Sequence, residues 1–429
     1  MNARHRVVII GGGFGGLGAA IGLKRAPVDV TLIDRCNYHL FQPLLYQVAT
    51  GALSPANIAS PLRTILKKQK NTRVLLGEAV HVDCKNRRVM LSDGAVDYDT
   101  LVIATGSSHQ YFGHSEWEQF APGLKTIEDA TDMRRRILLA FEAAERERDP
   151  EKLRAWMTFV IVGGGPTGVE LAGALGEIAN DTLRRDFRSI DPSKARIFLV
   201  EGADRVLPAY PPKLSGSAQK TLERLGVTVR TSAYVTDILK DSVTIRKGGQ
   251  SETHPARTIL WAAGVLASPL GRILSSEAGA TLDKAGRVAV EPDLTLAGHP
   301  EIFVIGDLAS FSHQTGHPLP GIAQPAIQGG RYVAKTISRR LRGEKGSAPF
   351  HYRDKGNLAT IGRAAAVADL NGLQLSGLPA WLIWIFIHLF YIIEFQNRLL
   401  VFVQWAWFYF TYDRSARLIT GKNPLPLDL

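Results

Sequence analysis

The fold is decided by residues Val7 to Leu23, VVIIGGGFGGLGAAIGL. Four β-branched residues run into a glycine-rich turn, and an Ala-rich helical pattern follows at once. Gly11, Gly13 and Gly16 keep the G-x-G-x-x-G spacing in strand–turn–helix order, the context a dinucleotide fingerprint requires. The first glycine makes the tight turn, the second lets backbone approach a pyrophosphate, and the third lets helix pack on strand. Phosphate oxygens then sit on unpaired N–H groups at the helix N-terminus, where the dipole favours negative charge. A second strand pattern, Val28 to Ile33, ends at Asp34, 18 residues after Gly16 and placed for a ribose hydroxyl. The motif announces a dinucleotide and leaves FAD or NAD open.

The motif recurs further on. Phe159–Val162 runs into Gly163-Gly-Gly-Pro-Thr-Gly168, and a helix is expected over Val169–Ile178. Gly163, Gly165 and Gly168 repeat the spacing. The strand Ala195–Val200 ends at Glu201, 33 residues after Gly168, because Asn180–Lys194 is inserted. An acid at that strand end repels a 2′-phosphate, so Glu201 favours NADH over NADPH, with Arg205 placed to soften the preference. Thr258–Gly264 is another strand closing on small residues. Two fingerprints in one chain imply two nucleotide-binding halves.

The 429 residues suit two or three domains, and 45% hydrophobic with 21% charged residues describes a globular chain with ample core. Net charge is +11, and from Arg331 onward 13 Lys or Arg stand against 6 Asp or Glu. A basic end suits nucleic acid or an anionic membrane face. Only Cys36 and Cys84 occur, with no C-x-x-C pair, which argues against a disulfide scaffold, an iron–sulfur cluster or a zinc site. Two isolated buried thiols are expected. Arg4-His5-Arg6 before an apolar run imitates a signal peptide, but cleavage there would destroy the first fingerprint.

Between the fingerprints, Asn37-Tyr-His-Leu-Phe-Gln-Pro-Leu-Leu-Tyr46 is an apolar loop whose aromatic and amide groups suit a flat ring. Residues 72–105 read as short strands, and Thr100–Ile103 closes on Ala104, Thr105 and Gly106, as a buried parallel strand does on meeting a ligand. Thr126–Lys152 reads as one long helix. Ile302–Asp307 is a strand with a carboxylate at its tip, fit either to cap a helix or to accept from a ribityl chain. Pro320-Gly-Ile-Ala-Gln-Pro-Ala-Ile-Gln328 opens a helix to about Leu341, with Pro325 in its first turn. Its positive end would stabilise an anionic reduced flavin, and Gln324 and Gln328 share one face at i, i+4.

The C-terminal region changes character. Ala380–Ile393 and Leu399–Tyr412 are 14-residue stretches without formal charge, separated by Glu394 and Arg398 at i, i+4. A membrane span needs about 20 apolar residues. Trp381, Trp384, Trp405 and Trp407 lie here, and Arg414, Arg417 and Lys422 follow. Aromatic apolar helices with basic flanks fit a bilayer surface. The excess charge therefore points to a membrane surface, and nucleic acid is not expected.

Taken together, the paired glycine motifs, the 37–46 segment, Ile305-Gly-Asp307, Ala323-Gln-Pro-Ala-Ile-Gln328 and Asn357-Leu-Ala-Thr-Ile-Gly-Arg363 resemble the type II NADH:quinone oxidoreductases over nearly the whole chain. The resemblance implies an α/β fold of two Rossmann-like dinucleotide-binding domains, the second inserted in the first, plus C-terminal amphipathic helices. Residues 1–120 and 275–345 would bind FAD, 121–274 NADH, and 346–429 the membrane. FAD is expected, non-covalently, at Gly11, Gly13, Phe14, Gly15, Gly16, Asp34, Arg35, Val80, Ala104, Thr105, Gly106, Asp307, Ala323 and Gln324. NADH is expected at Gly163, Gly165, Gly168, Glu170, Glu201 and Gly264, with no metal. Glu170 would hold the nicotinamide or relay protons, and Gln324 and Gln328 would border the quinone. Relatives often place Lys after the Gly-Arg pair, where this chain has Ala364. The implied enzyme is peripheral on the cytoplasmic face of the cell inner membrane, does not pump protons, and has homodimerisation open to it. The rival readings are a flavin- and NADH-binding interaction protein of the apoptosis-inducing type and a soluble ferredoxin- or rubredoxin-reductase-like enzyme. Disulfide and sulfide:quinone reductases need a cysteine pair that Cys36 and Cys84 do not form.

Overall fold

The computed structural model describes residues 4–344 and 348–421. The chain divides into two compact units, one of residues 1–40, 59–108 and 265–354, the other of residues 41–58, 109–264 and 355–429.

In the first unit six strands form one sheet in the order Thr295–Leu296, His299–Val304, Thr100–Ile103, His5–Ile10, Val28–Asp34 and Thr72–Leu76. All neighbours run parallel except the first pair. The central strand reads as a continuous apolar run because it is covered on both faces: Val7 and Ile9 on one and Val8 and Ile10 on the other are all buried. The helix Phe14–Gly22 follows it directly, and the helix Ala323–Leu341 lies against that helix at glycines. A Cβ at Gly330 would collide with the Gly15 carbonyl, and one at Gly22 would come 2.6 Å from Ala334 Cβ. Small residues let the backbones meet where side chains would hold them apart. A three-stranded antiparallel sheet, Ala79–Asp83, Arg88–Leu91 and Gly94–Asp97, completes the unit.

The second unit is built on a four-stranded parallel sheet ordered Val227–Arg230, Arg196–Val200, Thr158–Val162 and Thr258–Trp261. The helix Pro166–Glu177 follows the Thr158–Val162 strand. On that helix packs the hairpin sheet Asn357–Gly362, Ala365–Leu370 and Leu373–Gly377, so closely that a Cβ on Gly173 would run into the Ile361 carbonyl. Two helices follow, Leu378–Tyr391 and Phe395–Thr411.

Three expectations need correction. Thr126–Lys152 is two helices, Ile127–Arg146 and Pro150–Trp156. Asp149 caps the second by accepting from Glu151 N at 2.9 Å, and Pro150 disfavours helical backbone in the residue before it. Arg398 donates to the Ile392 carbonyl at 2.7 Å, while Glu394 takes a left-handed φ of 70° at the break between the C-terminal helices. Finally, Cys84 is buried but Cys36 only half-buried, and neither is in a disulfide.

Candidate active site

The first glycine loop is shaped by contacts that exclude side chains. Gly11 has φ 102°, and a Cβ there would strike the Ala104 carbonyl; one on Gly16 would strike the Gly11 carbonyl. Around Gly13 there is open space, and this residue starts the helix Phe14–Gly22 with no side-chain cap. Asp34 Oδ2 accepts from Gly12 N at 2.5 Å and Oδ1 from Cys36 N at 2.6 Å, so the acid braces the loop. Burial pushes its carboxyl above the ordinary value, against those two donors. Beneath the loop, His39 donates from Nδ1 to the Gly12 carbonyl at 2.9 Å and meets the Phe14 ring edge-on at 5.0 Å. Burial lowers its pKa, so it stays neutral.

The rest of the first unit's candidate residues gather at strand ends. Ala104 N donates to the Ile10 carbonyl at 2.8 Å, and Ser107 Oγ donates to Asp307 Oδ2 at 2.8 Å. Gly15 faces Ile305, Gly321 faces Asp307, and Gly106 has φ 68°. Thr105 Oγ1 and Gln324 Oε1 are buried with no hydrogen-bond partner among the described residues. Ala323 and Gln324 form the first turn of Ala323–Leu341, one turn before Gln328. The two glutamines do different work: Gln328 Nε2 donates to the Arg353 carbonyl at 2.9 Å and Oε1 accepts from Arg353 N at 3.0 Å. Arg35 is exposed, and Val80 is exposed on the separate antiparallel sheet.

The second loop repeats the first in detail. Gly163 has φ 106° and lies against the Ala262 carbonyl, a Cβ on Gly168 would strike the Gly163 carbonyl, and Gly165 opens the helix in free space. Glu201 Oε2 accepts from Gly164 N at 2.5 Å and Oε1 from Ala203 N at 2.7 Å. Arg205 turns to the Pro208 carbonyl at 3.0 Å. Gly264, at φ 69°, abuts Phe112.

Beyond that loop, the helix Pro166–Glu177 borders a cavity inside the second unit. Glu170, Tyr46 and Gln47 line it, as do Arg363, Trp381, Trp384, Trp405 and Phe408. Desolvation pushes the Glu170 carboxyl well above the ordinary range, opposed by a hydrogen bond from the Thr360 backbone. Glu177 accepts from Arg363 N and pairs with Arg414 Nη2 at 2.8 Å, both side chains being almost wholly buried. Burial raises the one pKa and lowers the other, while each partner holds the other charged. Arg414 also donates to Thr50 Oγ1 at 3.1 Å and lies 4.6 Å over the Phe408 ring.

The tryptophans and arginines expected at a membrane surface therefore split. Trp384 and Trp405 are buried, 5.0 Å apart, while Trp407 is 60% exposed. Arg414 is 3% exposed, and Arg417 pairs with Asp186 and Asp413. Lys422 lies outside the described residues. Exposed apolar side chains do line the two helices, among them Phe386, Phe390, Phe395 and Phe410. No helix of the described residues is long and apolar enough to cross a membrane.

Residues 5–330 match the pyridine nucleotide-disulphide oxidoreductase family model, and 355–412 match the NDH2 C-terminal domain model. The type II NADH:quinone oxidoreductase Ndh of Mycobacterium tuberculosis is 46% identical over 427 residues, 98% of this chain and 91% of that protein. NdhA of the same organism is 47% identical over 432 residues, again 98% and 91%. The chain belongs to the type II NADH:quinone oxidoreductases.

Solved structures agree with this fold. NDH2 from Plasmodium falciparum in complex with NADH aligns with TM-score 0.86 at 21% identity, covering 94% of this chain and 98% of that one. The sulfide:quinone oxidoreductase from Aquifex aeolicus aligns with TM-score 0.74 at 18% identity, covering 92% of each. In this type II oxidoreductase, the sequence singles out neither His39 nor Glu177, shows Arg363 only as part of a motif, and gives Arg414, Trp384 and Trp405 to a membrane surface, whereas these three are buried. The 37–46 segment was visible as apolar and aromatic, but Phe41–Ile58 belongs with the second unit and not with the first fingerprint.

Proposed function

We infer that this protein is a membrane-associated flavoenzyme that oxidises NADH and passes two electrons through FAD to a quinone, without pumping protons. The residues present fit FAD: open space at Gly13, an uncapped helix start, and the orphaned oxygens of Thr105 and Gln324 together make a cradle with unspent hydrogen-bonding capacity. Gly11, Gly13, Phe14, Gly15, Gly16, Asp34, Arg35, Val80, Ala104, Thr105, Gly106, Asp307, Ala323 and Gln324 would hold it. Bound there, FAD supplies a two-electron acceptor for the hydride of NADH and a donor for quinone. We assign it to residues 1–120 and 275–345.

Residues 121–274 take NADH at Gly163, Gly165, Gly168, Glu170, Glu201 and Gly264. Glu201 favours NADH because a 2′-phosphate would meet a carboxylate that already accepts two amide hydrogen bonds. Gln328, its amide spent on Arg353, braces the chain beside the flavin helix. Residues 346–429 associate with the membrane, on the cytoplasmic face of the inner membrane, and a homodimer through this region is compatible with their exposed apolar surface.

One observation carries the quinone reading: the cavity is polar or charged at Tyr46, Gln47, Glu170, Glu177, Arg363 and Arg414, apolar at Trp381, Trp384, Ile385, Trp405 and Phe408, and walled by the two helices whose other faces are exposed and apolar. A flat ring with two carbonyl oxygens on an isoprenoid tail has that distribution of polarity. Ala52→Phe fills the cavity from its half-exposed edge. The variant should bleach its flavin with NADH at the parental rate and reduce menadione at least tenfold more slowly. Parental menadione reduction would remove the quinone from this cavity.

A further inference from the structure

The cavity holds a hydrogen-bond chain whose direction is set by its far end. Trp405 Nε1 lies 2.7 Å from Gln47 Oε1, and Gln47 Nε2 lies 2.8 Å from the Tyr46 hydroxyl. An indole N–H can only donate, so the amide oxygen of Gln47 must face Trp405. That leaves the amide NH₂ toward Tyr46, and an NH₂ also can only donate. The Tyr46 oxygen is therefore an acceptor in this contact, and its own proton must point elsewhere. Among the described residues no protein acceptor takes that proton. All three side chains are more than nine-tenths buried, and all three line the cavity.

We propose that Tyr46 donates a hydrogen bond to a carbonyl oxygen of the bound quinone, and that Gln47 and Trp405 are positioning residues that aim its proton. The inference rests on the cavity reading above. As two electrons arrive, the quinone oxygens gain negative charge, and a donor already aimed at one of them stabilises that charge without reorganising. Both protons of the quinol come from solvent; Tyr46 keeps its own. Burial raises the Tyr46 pKa well above its ordinary value, with Glu170 and Glu177 adding to the effect and Arg414 opposing it, so the phenol remains a donor throughout turnover. Trp405 sits on Phe395–Thr411, so the aim of a donor near the chemistry depends on the seating of a helix with an exposed apolar face.

Three proteins test this, each FAD-loaded and full length: parent, Tyr46→Phe and Gln47→Glu. Quenching of intrinsic tryptophan fluorescence by menadione reads binding, and steady-state turnover reads kcat. Tyr46→Phe should keep quenching within about threefold and lose about tenfold in kcat, the size expected for one hydrogen bond to a charged oxygen. Gln47→Glu keeps the side-chain shape. When its carboxyl ionises it becomes acceptor-only, and Tyr46 must turn its proton inward. Menadione turnover by Gln47→Glu, taken relative to the parent at each pH, should therefore show an added ionisation, near parental on the acid side and about tenfold down on the alkaline side. A lost contact of purely structural value would lower kcat at every pH. Retained quenching with parental kcat in Tyr46→Phe overturns the proposal alone. Absence of saturable quenching in the parent refutes the cavity reading, and this inference with it.

Discussion

The two glycine loops are nearly the same object. Gly11 and Gly163 have φ 102° and 106°, Gly16 and Gly168 press on the carbonyls of those residues, and Asp34 and Glu201 each accept two backbone N–H groups. Their helices part company immediately afterwards. Phe14–Gly22 carries no charge and is covered by another helix through glycine contacts. Pro166–Glu177 carries Glu170 and Glu177, is covered by a β-strand, and borders a cavity. In the proposed assignment the first cradle holds the cofactor that stays and the second the substrate that leaves, and the two differ in what their helices pack against.

The comparison can be broken most severely at the third glycine of each loop. Either alanine would force its Cβ into a backbone carbonyl, an overpacking cost of about 1–3 kcal/mol or more. Gly16→Ala should yield protein lacking flavin absorbance. Gly168→Ala should keep the flavin and raise the KM for NADH more than tenfold. Loss of flavin from both would mean the loops do not divide the two nucleotides.

A smaller effect separates the helices themselves. Gly173 corresponds to Ile21, since each lies five residues after its loop's third glycine. Ile21 is 48% exposed, whereas Gly173 abuts the Ile361 carbonyl. Gly173→Ala should destabilise by about 1–3 kcal/mol, and Ile21→Ala by no more than about 0.5 kcal/mol. Thermal melting followed by far-ultraviolet circular dichroism would reveal equal shifts if the strand contact carries no weight.

The mildest test is one of pH. Burial keeps Glu170 protonated above the ordinary carboxylate range, so the folded protein holds a proton that the unfolded chain has already released. Through that window the contribution of Glu170 to stability falls as pH rises, and its ability to donate falls with it. Quinone turnover should decline over this range in the parent and stay flatter in Glu170→Gln. Parallel profiles would leave Glu170 without a titrating role.

Much of this was legible in the sequence, for a local reason. Glu170 could be singled out because it lies two residues past Gly168 on a helix whose start the motif defines. Gln47 could not, because its partner Trp405 is 358 residues away. Arg414 was expected as a basic flank for a membrane and is instead buried against Glu177. Composition cannot tell a solvated arginine from a paired one, since both read as one charge after an apolar run. The split of Thr126–Lys152 is signalled by Asp149-Pro150, a helix cap followed by a first-turn proline.

By itself the sequence determined the two cradles, their order and the acids that close them. These depend on backbone angles and Cβ clashes among residues close in the chain or on adjacent strands, which glycine spacing specifies directly. The tertiary structure decided what each cradle's helix faces, which tryptophans turn inward, and where the buried charges find partners. Those outcomes rest on packing and hydrogen-bond direction between residues hundreds of positions apart, where a side chain's chemistry is set by its neighbour.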